Sequence, residues 1–283
     1  EQLDVTRAAV WKHVEALREA GFDVEGGPDG YEVTGVPEYG GLAVEFGLDA
    51  PFAVEYHDAL PSTNDRARDL AADGAADVVV LADEQTGGRG RRGRAWASPS
   101  GGVWLSAVLR PALPPARAPV LTLAAAVAVA RAAREAGVEA GIKWPNDVLV
   151  GERKLAGVLT EMEGEADRVS WVVVGVGVNA NVNAADLPPE ATSLAAEAGP
   201  VDRRRFVQRV LETLDDLRAE PAAAVVEWRE YALTLGRRVR VDTPTGGVEG
   251  EAVDVTDAGA LVVETGDGRE TVHAGDCEHL RPA

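Results

Sequence analysis

The chain has 283 residues, of which 46% are hydrophobic, and its 47 acidic and 28 basic side chains give a formal net charge of -19 at pH 7. No run approaches the roughly 20 apolar residues that a membrane-spanning helix needs, and a single cysteine, Cys277, excludes an internal disulfide. We therefore expect a cytoplasmic protein of more than one domain, without a membrane partner. Lysine is nearly absent, which is typical of a halophilic surface or of a GC-rich genome, and the chain keeps only Lys12, Lys143 and Lys154.

Residues 1–36 have the pattern of the second half of a winged helix-turn-helix. Three apolar residues share one helical face: Val10, Val14 and Leu17. Thr6 is a suitable cap and Gly21 a suitable stop for this helix, and FDVEGGPDGYEV predicts a two-stranded wing. Because the helical pattern is already under way at residue 1, we expect the first helix of the motif to be missing. Arg7 and Lys12 are the candidate DNA contacts, although a small helix packed on a hairpin fits the same pattern.

The rest of the chain predicts an α+β protein in two further parts. Residues 37–51 are rich in glycine and proline and are expected to form a linker. Residues 52–235 predict a helix capped by Ser62, a long alanine-rich helix over 118–136, and helix over 202–231. The short strands between them favour an antiparallel or mixed sheet over strict βαβ alternation. Residues 236–283 predict a small β-barrel of four or five short strands.

The stretch GGRGRRGRAW, residues 87–96, concentrates positive charge in an acidic chain, and we call it the arginine loop. It contains four arginines: Arg89, Arg91, Arg92 and Arg94. Gly88, Gly90 and Gly93 have the spacing of a dinucleotide-binding turn, but the following SPSGG blocks the helix that such a turn must open. An arm that binds nucleic acid belongs on a basic domain, and a solvated run of like charges needs counter-charges nearby. We favour a small anionic ligand such as a nucleoside triphosphate, because glycines admit phosphates and guanidinium groups bind them bidentately.

The two lysines of the central domain lie in adjacent motifs, KWPND and KLAG. If the strands after Asp147 and after Lys154 pair around Gly151, the two side chains meet at one end of a hairpin. An ordinary surface salt bridge is the alternative interpretation. The scarcity of lysine favours a functional role, and Asn179 adds a polar amide at the end of the apolar strand WVVVGVGV.

Together these motifs resemble the bifunctional biotin–protein ligases, which can also repress biotin genes. The resemblance rests on STN at 62–64, on residues 85–96 with GRGRRGR, on KWPND at 143–147, on KLAG at 154–157, and on GVGVN ending at Asn179. Their order and spacing match throughout the central domain. The resemblance implies a catalytic domain of the biotin/lipoate ligase type and an SH3-like C-terminal barrel.

The resemblance also implies a reaction and a site. Biotin and MgATP give biotinyl-adenylate, and a lysine of the biotin carboxyl carrier protein then attacks it. The implied catalytic residues are Arg91, Asp147 and Lys154, with Asp147 also serving Mg²⁺. The implied biotin-binding residues are Ser62, Thr63, Asn64, Gln85, Gly88, Arg89, Arg91, Lys154 and Gly157. The implied ATP-binding residues are Arg91, Arg94, Trp96, Lys143, Asn146, Lys154 and Asn179.

Two other functions remain open at this level. Lipoate–protein ligases share the broad fold and the adenylation chemistry, but they are not expected to carry GRGRRGR. A biotin-responsive repressor that has lost catalysis would not need intact Arg91, Asp147 and Lys154. Operator DNA is a candidate partner through the winged helix, and family members often form homodimers.

Overall fold

The computed structural model describes residues 6–28, 30–243 and 246–280. Its N-terminal unit is the helix α1 (Arg7–Glu19) followed by the antiparallel hairpin of β1 (Asp23–Gly27) and β2 (Gly30–Gly35). Thr6 caps α1 by accepting a hydrogen bond from the backbone N–H of Ala9 (3.2 Å), and Gly21 follows the helix at a φ of 88°. The predicted helix and wing are therefore confirmed, whereas the expected absence of an earlier helix concerns positions outside the described residues.

The segment expected to be a linker contains a short helix, α2 (Gly41–Glu45), that packs on the central domain. Ala43 and Val44 are buried in this contact. Gln208 donates hydrogen bonds from Nε2 to the carbonyls of Val44 (2.8 Å) and Phe46 (3.0 Å). Residues 37–51 are therefore fastened to the central domain by a short helix, and the linker boundaries stay a prediction.

The central domain is built on a seven-stranded sheet. Its strands are β3 (Ala53–Leu60), β4 (Val78–Gln85), β5 (Val103–Leu109), β6 (Ala140–Lys143), β7 (Asp147–Val150), β8 (Arg153–Gly164) and β9 (Val169–Val178). They lie in the order β3-β4-β5-β9-β8-β7-β6. Only the β3–β4 pair is parallel, which confirms the predicted mixed sheet.

Helices cover both faces of this sheet. They are α3 (Thr63–Ala72), α4 (Val120–Glu135), α5 (Leu194–Ala198), α6 (Arg203–Ala219) and α7 (Pro221–Tyr231). The helix α3 packs on β4, β5 and β9, while α4 packs on the other face beneath α6 and α7. The single helix expected over 202–231 is two helices, because Pro221 lacks the N–H that would continue the first.

The long alanine-rich helix corrects one expectation about membranes. Residues Pro115–Glu135, which include α4, are long and apolar enough to cross a bilayer by length and composition. The expectation that no such run exists is therefore wrong. However, 72% of the apolar window is buried inside the protein, as in the core helix of a folded domain.

The C-terminal unit is a five-stranded antiparallel sheet. Its strands are β10 (Arg238–Thr243), β11 (Gly246–Val255), β12 (Leu261–Thr265), β13 (Gly268–Val272) and β14 (Asp276–His279). They lie in the order β13-β12-β11-β10-β14. Over residues 246–280 no ladder joins β13 to β14, so the small β domain is confirmed but the hydrogen-bonded closure of a barrel is not. Trp144 donates from Nε1 to the carbonyl of Gly259 (2.9 Å) and so ties the KWPND motif to this sheet.

Candidate functional site

A pocket, here called the acid pocket, opens where α3, β4, β8 and β9 meet the arginine loop. Most of the residues predicted to bind biotin line it: Ser62, Thr63, Asn64, Gln85, Arg89, Lys154 and Gly157. The predicted residues Gly88 and Arg91 do not line it. Gly88 supports the arginine loop instead, since its carbonyl accepts a hydrogen bond from the backbone N–H of Trp96 (2.9 Å).

The start of α3 and the end of β4 fix the position of Thr63 in this pocket. Ser62 caps α3 by accepting from Asp65 N (3.3 Å). Gln85 Oε1 accepts from Thr63 N (2.8 Å), while Gln85 Nε2 donates to Ser98 Oγ (2.9 Å) at the far end of the arginine loop. The Gln85 side chain therefore connects Thr63 in the acid pocket to Ser98, just after the arginine loop.

Two residues beneath the pocket were not predicted from the sequence. Ser106 is fully buried on β5, with Oγ 2.8 Å from Thr63 Oγ1 and 2.6 Å from Asn64 Oδ1. Asn64 in turn donates from Nδ2 to Glu161 Oε2 (2.8 Å) on β8. A lone hydroxyl in the otherwise apolar strand VWLSAVL was a usable signal for Ser106. Glu161 had no such signal, because its partners Asn64 and Arg68 are distant from it in the sequence.

Two glycines of β9 make room for the side chains that form the pocket. A Cβ at Gly175 would lie 2.0 Å from Asn64 Oδ1, and a Cβ at Gly177 would lie 2.9 Å from Trp96 Nε1. Both positions therefore require glycine, because real Cβ atoms do not approach so closely.

The predicted pair on the KWPND and KLAG motifs is confirmed. Lys154 Nζ lies 2.7 Å from Asp147 Oδ1 and 4.9 Å from the centroid of the Trp96 ring. In the ladder of β7 and β8, Asp147 pairs with Gly157 and Lys154 pairs with Leu149, with a register shift between Val148 and Leu149. The two side chains nevertheless meet beside the acid pocket.

A second cavity, here called the anion cavity, lies next to the acid pocket and shares Lys154 and Asn146 with it. Its lining contains the predicted ATP contacts Arg91, Arg94, Lys143, Asn146 and Lys154, together with Asp147, Asp276 and Cys277. Asn146 Oδ1 accepts from Arg91 Nη1 (3.1 Å). Burial lowers the pKa of Arg91 from its usual value, which leaves it a partly desolvated cation.

Two other predicted ATP contacts, Trp96 and Asn179, have different surroundings. Trp96 Nε1 is buried and has no hydrogen-bond partner among the described residues. Asn179 lines neither cavity and is buried, with Nδ2 donating to the carbonyl of Thr192 (2.9 Å). Trp96 lines the acid pocket, whereas the Asn179 amide holds the following loop.

The C-terminal sheet supplies a counter-charge to the arginine loop. The carboxylate of Asp276 lies 3.6 Å from Arg91 Nη1, 3.2 Å from Arg92 Nη1 and 3.0 Å from Arg94 Nη2. Burial opposes ionisation of Asp276, but the hydrogen bond from Arg92 and the charges of Arg94 and Arg91 lower its pKa overall. No sequence signal identified this residue, because it is remote from the loop in the chain.

A second carboxylate holds the other end of the loop. Arg89 pairs with Asp65 on α3, which also pairs with Arg68. Arg68 continues the network to Glu161 Oε1 (3.2 Å). The four arginines are therefore divided between two acidic anchors, one on α3 and one on the C-terminal sheet.

The predicted DNA contacts lie on α1. Arg7 and Lys12 are exposed, and the indole of Trp11 between them is 57% exposed. Arg18 is occupied, since it donates to Glu15 Oε1 (2.8 Å) and to the carbonyl of Val24 (2.8 Å).

Three families match successive parts of the chain. An HTH domain matches residues 1–32, the Biotin/lipoate A/B protein ligase family matches residues 56–179, and the Biotin protein ligase C terminal domain matches residues 234–280. These matches follow the three structural units described above.

Individual relatives extend the similarity to nearly the full length. The chain is 39% identical to the Bifunctional ligase/repressor BirA of Bacillus subtilis, over 98% of this chain and 91% of that protein. It is 38% identical to the Biotin--[acetyl-CoA-carboxylase] ligase of Mycobacterium tuberculosis, over 78% of this chain and 86% of that protein. Among solved structures, the biotin protein ligase of Aquifex aeolicus in complex with biotin and ATP is 28% identical with a TM-score of 0.68, covering 81% of this chain and 99% of that one.

Proposed function

The chain belongs to the biotin/lipoate A/B protein ligase family, and from that premise we propose that it is an ATP-dependent biotin–protein ligase. The observation that carries the proposal is the position of Lys154. Lys154 lines both the acid pocket and the anion cavity, so one cation can serve a carboxylate bound in the first and a phosphate bound in the second.

The reaction has two steps. In the first, an oxygen of the biotin carboxylate attacks the α-phosphorus of ATP, and the bond to the leaving pyrophosphate breaks. In the second, the ε-amine of a lysine on the biotin carboxyl carrier protein attacks the carbonyl carbon of the mixed anhydride, and AMP leaves. The acceptor lysine provides the nucleophile of the second step, so the site needs no nucleophilic side chain of its own.

Positive charge is the main requirement of the first step, because two anions must meet. Lys154 is positioned to reduce their repulsion, and Arg91 is a second cation in the lining of the anion cavity. One preorganised donor of this kind is typically worth about 3 to 4 kcal/mol in the transition state. We propose these two residues as the catalytic cations, and Arg94 and Lys143 as contacts of the leaving pyrophosphate.

Magnesium fits this site as a companion of the nucleotide. The described residues contain no cluster of three or more metal-ligating side chains, and Asp147 is the carboxylate beside Lys154. A Mg²⁺ ion is commonly held by one or two carboxylates together with phosphate and water oxygens. We propose Asp147 as its protein ligand; the ion, when bound, offsets phosphate charge.

The remaining predicted residues either contact the substrates or shield the mixed anhydride from water. We propose that Thr63 and Gln85 contact the biotin ring, that the Trp96 indole packs beside the adenylate, and that Asn179 acts indirectly by holding the loop up to Thr192. The arginine loop, anchored on two sides, keeps water from the mixed anhydride until the carrier arrives.

A second role is carried by the N-terminal unit. The Bacillus subtilis relative is named a ligase/repressor, and α1 presents exposed Arg7 and Lys12. We therefore propose that the protein also represses transcription by binding operator DNA. A homodimer, a cytoplasmic location and an SH3-like arrangement of the C-terminal sheet stay predictions.

The test of the ligase function is pyrophosphate release from MgATP with biotin or lipoate, for the wild type, for Lys154→Ala and for Lys12→Ala as a control. Biotin should stimulate release, lipoate should not, and Lys154→Ala should lose at least about a hundredfold. Lys12→Ala should keep wild-type activity, because Lys12 is exposed on α1. Release that depends on lipoate, or on neither acid, would refute the proposal.

A further inference from the structure

The strand that carries Lys154 has a partner from outside the sheet on one side. The ladder between β8 and β9 begins only at Ala156, and at Lys154 the place of β9 is taken by residues 190–192. The main-chain N–H of Lys154 donates to the carbonyl of Glu190 (2.7 Å), and its carbonyl accepts from the N–H of Thr192 (2.9 Å). This segment therefore holds both polar main-chain groups of Lys154.

The ladder with β7, on the other side of β8, is irregular at the same point. Val148 pairs with Ala156 and Leu149 pairs with Lys154, which leaves Leu155 as an extra residue on β8. A bulge of this kind disrupts the ladder locally and changes the direction of the side chains beside it. Pairing with β7 therefore defines the strand poorly at Lys154, and the contacts on the opposite side are needed to hold it.

Glu197, on α5, fastens residues 190–192 to this strand. Its carboxylate accepts from the hydroxyl of Thr192 and from Nη2 of Arg153 (2.7 Å), the residue before Lys154. Thr192 is 1% exposed and the Glu197 side chain 18% exposed, so the bond between them is shielded from water. Without Glu197 the Thr192 hydroxyl would be buried and unpaired among the residues that the structure describes, and an unpaired buried donor costs more than the bond contributes.

Asn179 holds a different atom of the same segment. Its Nδ2 donates to the carbonyl of Thr192 (2.9 Å), whereas Glu197 accepts from the Thr192 hydroxyl. The Asn179 contact therefore leaves the hydroxyl without a partner if Glu197 is removed, and the segment must shift to hydrate it.

From these contacts we propose that Glu197 is a positioning residue that holds the main chain of Lys154 in place through residues 190–192. Glu197 lines neither the acid pocket nor the anion cavity, so it acts through Lys154, which lines both, rather than on a substrate. The proposal deepens the proposed ligase function and rests on it, because Lys154 is the cation proposed for the first step.

Hydrogen exchange at the Lys154 amide, followed by NMR, tests the contact without any substrate. Isotope labelling of the lysine α-nitrogen marks three backbone amides, those of Lys12, Lys143 and Lys154. In Glu197→Ala the Lys154 amide should exchange at least about tenfold faster than in the wild type, because its bond to the Glu190 carbonyl opens more often. The Lys143 amide, on β6, is the internal reference and should not change. Glu197→Gln should restore slow exchange, because its amide oxygen still accepts from Thr192.

Pyrophosphate release tests the consequence for the reaction. At saturating biotin and MgATP, kcat should fall about tenfold in Glu197→Ala and recover in Glu197→Gln, because a misplaced catalytic group slows the step that it serves. In a Lys154→Ala background, Glu197→Ala should have no further effect, since it acts through Lys154. Glu227→Ala is the matched control. The Glu227 carboxylate pairs with Arg131 between α7 and α4, is 24% exposed and lines neither cavity, so its loss removes a similar ion pair but should leave kcat unchanged.

Thr192→Val removes the other partner of the Glu197 bond and should speed the exchange in the same way. An unchanged exchange rate at Lys154 in Glu197→Ala would overturn the proposal and show that Asn179 is sufficient to hold the segment. A further loss of kcat on adding Glu197→Ala to Lys154→Ala would also overturn it, because Glu197 would then affect the reaction by another route. A wild type without biotin-dependent release would contradict the ligase function, and the exchange rates would still decide whether Glu197 holds Lys154.

Discussion

Arg91 and Asp276 lie 3.6 Å apart, measured from Nη1 to Oδ1, and join the arginine loop to the C-terminal sheet. Arg91 also donates from Nη2 to the carbonyl of Gly275 (2.8 Å). The loop that lines the anion cavity is therefore held by a unit outside the central domain. Several arginines can share this loop because the carboxylate of Asp276 offsets their mutual repulsion.

Replacing Asp276 should loosen the arginine loop. In Asp276→Asn the guanidinium groups of Arg92 and Arg94, already 64% and 67% exposed, lose their charged partner. We expect tryptic cleavage within the loop to be several-fold faster in the ligand-free variant, followed by mass spectrometry of the fragments. Asp254→Asn is the control, because Asp254 pairs with Arg229 (2.8 Å) without touching the loop. Equal cleavage in both variants would contradict the anchoring role.

Adding one methyl group at Gly175 should distort the acid pocket. The new Cβ would lie 2.0 Å from Asn64 Oδ1, and Asn64 is buried and cannot move aside freely. Overpacking of this kind costs about 1–3 kcal/mol, so Gly175→Ala should weaken biotin binding by about tenfold or more. Gly266→Ala is the matched control, since nothing lies within 4 Å of its added Cβ. Calorimetric titration with biotin distinguishes them, and equal affinities would refute the packing argument.

The local parts of the site could be predicted from the sequence because their geometry is set by short stretches of chain. The hairpin between Asp147 and Lys154 needed only two strands and a turn. The helix cap at Ser62 needed only the next turn of backbone. The boundary between α6 and α7 was not predicted. It depends on one residue, Pro221, within a sequence whose helical periodicity is otherwise continuous.

The supporting residues could not be predicted, because tertiary folding alone brings them to the site. Asp276 and Glu161 contact the loop and the pocket from two different strands, whereas Ser106 had a local signal, its lone hydroxyl in an apolar strand. The docking of α2 was missed for a similar reason. Glycine and proline signalled a loop there, but burial of Val44 against the central domain decided the outcome.

DNA binding should depend on Arg7 and Lys12 but not on Arg18. Each free cation that contacts a phosphate releases a counterion, so Arg7→Ala or Lys12→Ala should reduce the slope of log K against log salt by about 0.9. Arg18→Ala should leave the slope unchanged, because its guanidinium is already bound to Glu15. Fluorescence anisotropy with labelled duplex DNA over a salt series provides the measurement. An equal reduction in Arg18→Ala would show that α1 binds DNA through a different face.

His279 should make the protein less stable in mild acid. Burial, with the positive charges of Lys143 and Arg237, lowers the pKa of His279 from 6.5 to about 4, against the opposing charge of Glu152. The ring lies between Thr234 Oγ1 (3.0 Å) and Arg237 Nη1 (3.4 Å), and a proton on both nitrogens would direct a second donor at the guanidinium. The neutral ring is therefore the folded form.

The sign of the effect follows from which state binds the proton first. As the pH falls below 6.5, the unfolded chain binds this proton before the folded protein does. The contribution of His279 to the free energy of unfolding therefore has its full value above pH 6.5 and decreases as the pH falls to about 4. Glu55 acts in a lower window, because the hydrogen bond from Arg66, against some burial, lowers its pKa from 4.5 to about 2. Between pH 6.5 and 4.5 the free energy of unfolding in urea should therefore fall in the wild type and fall less in His279→Gln. Parallel pH profiles for the two proteins would show that His279 titrates as an exposed histidine does.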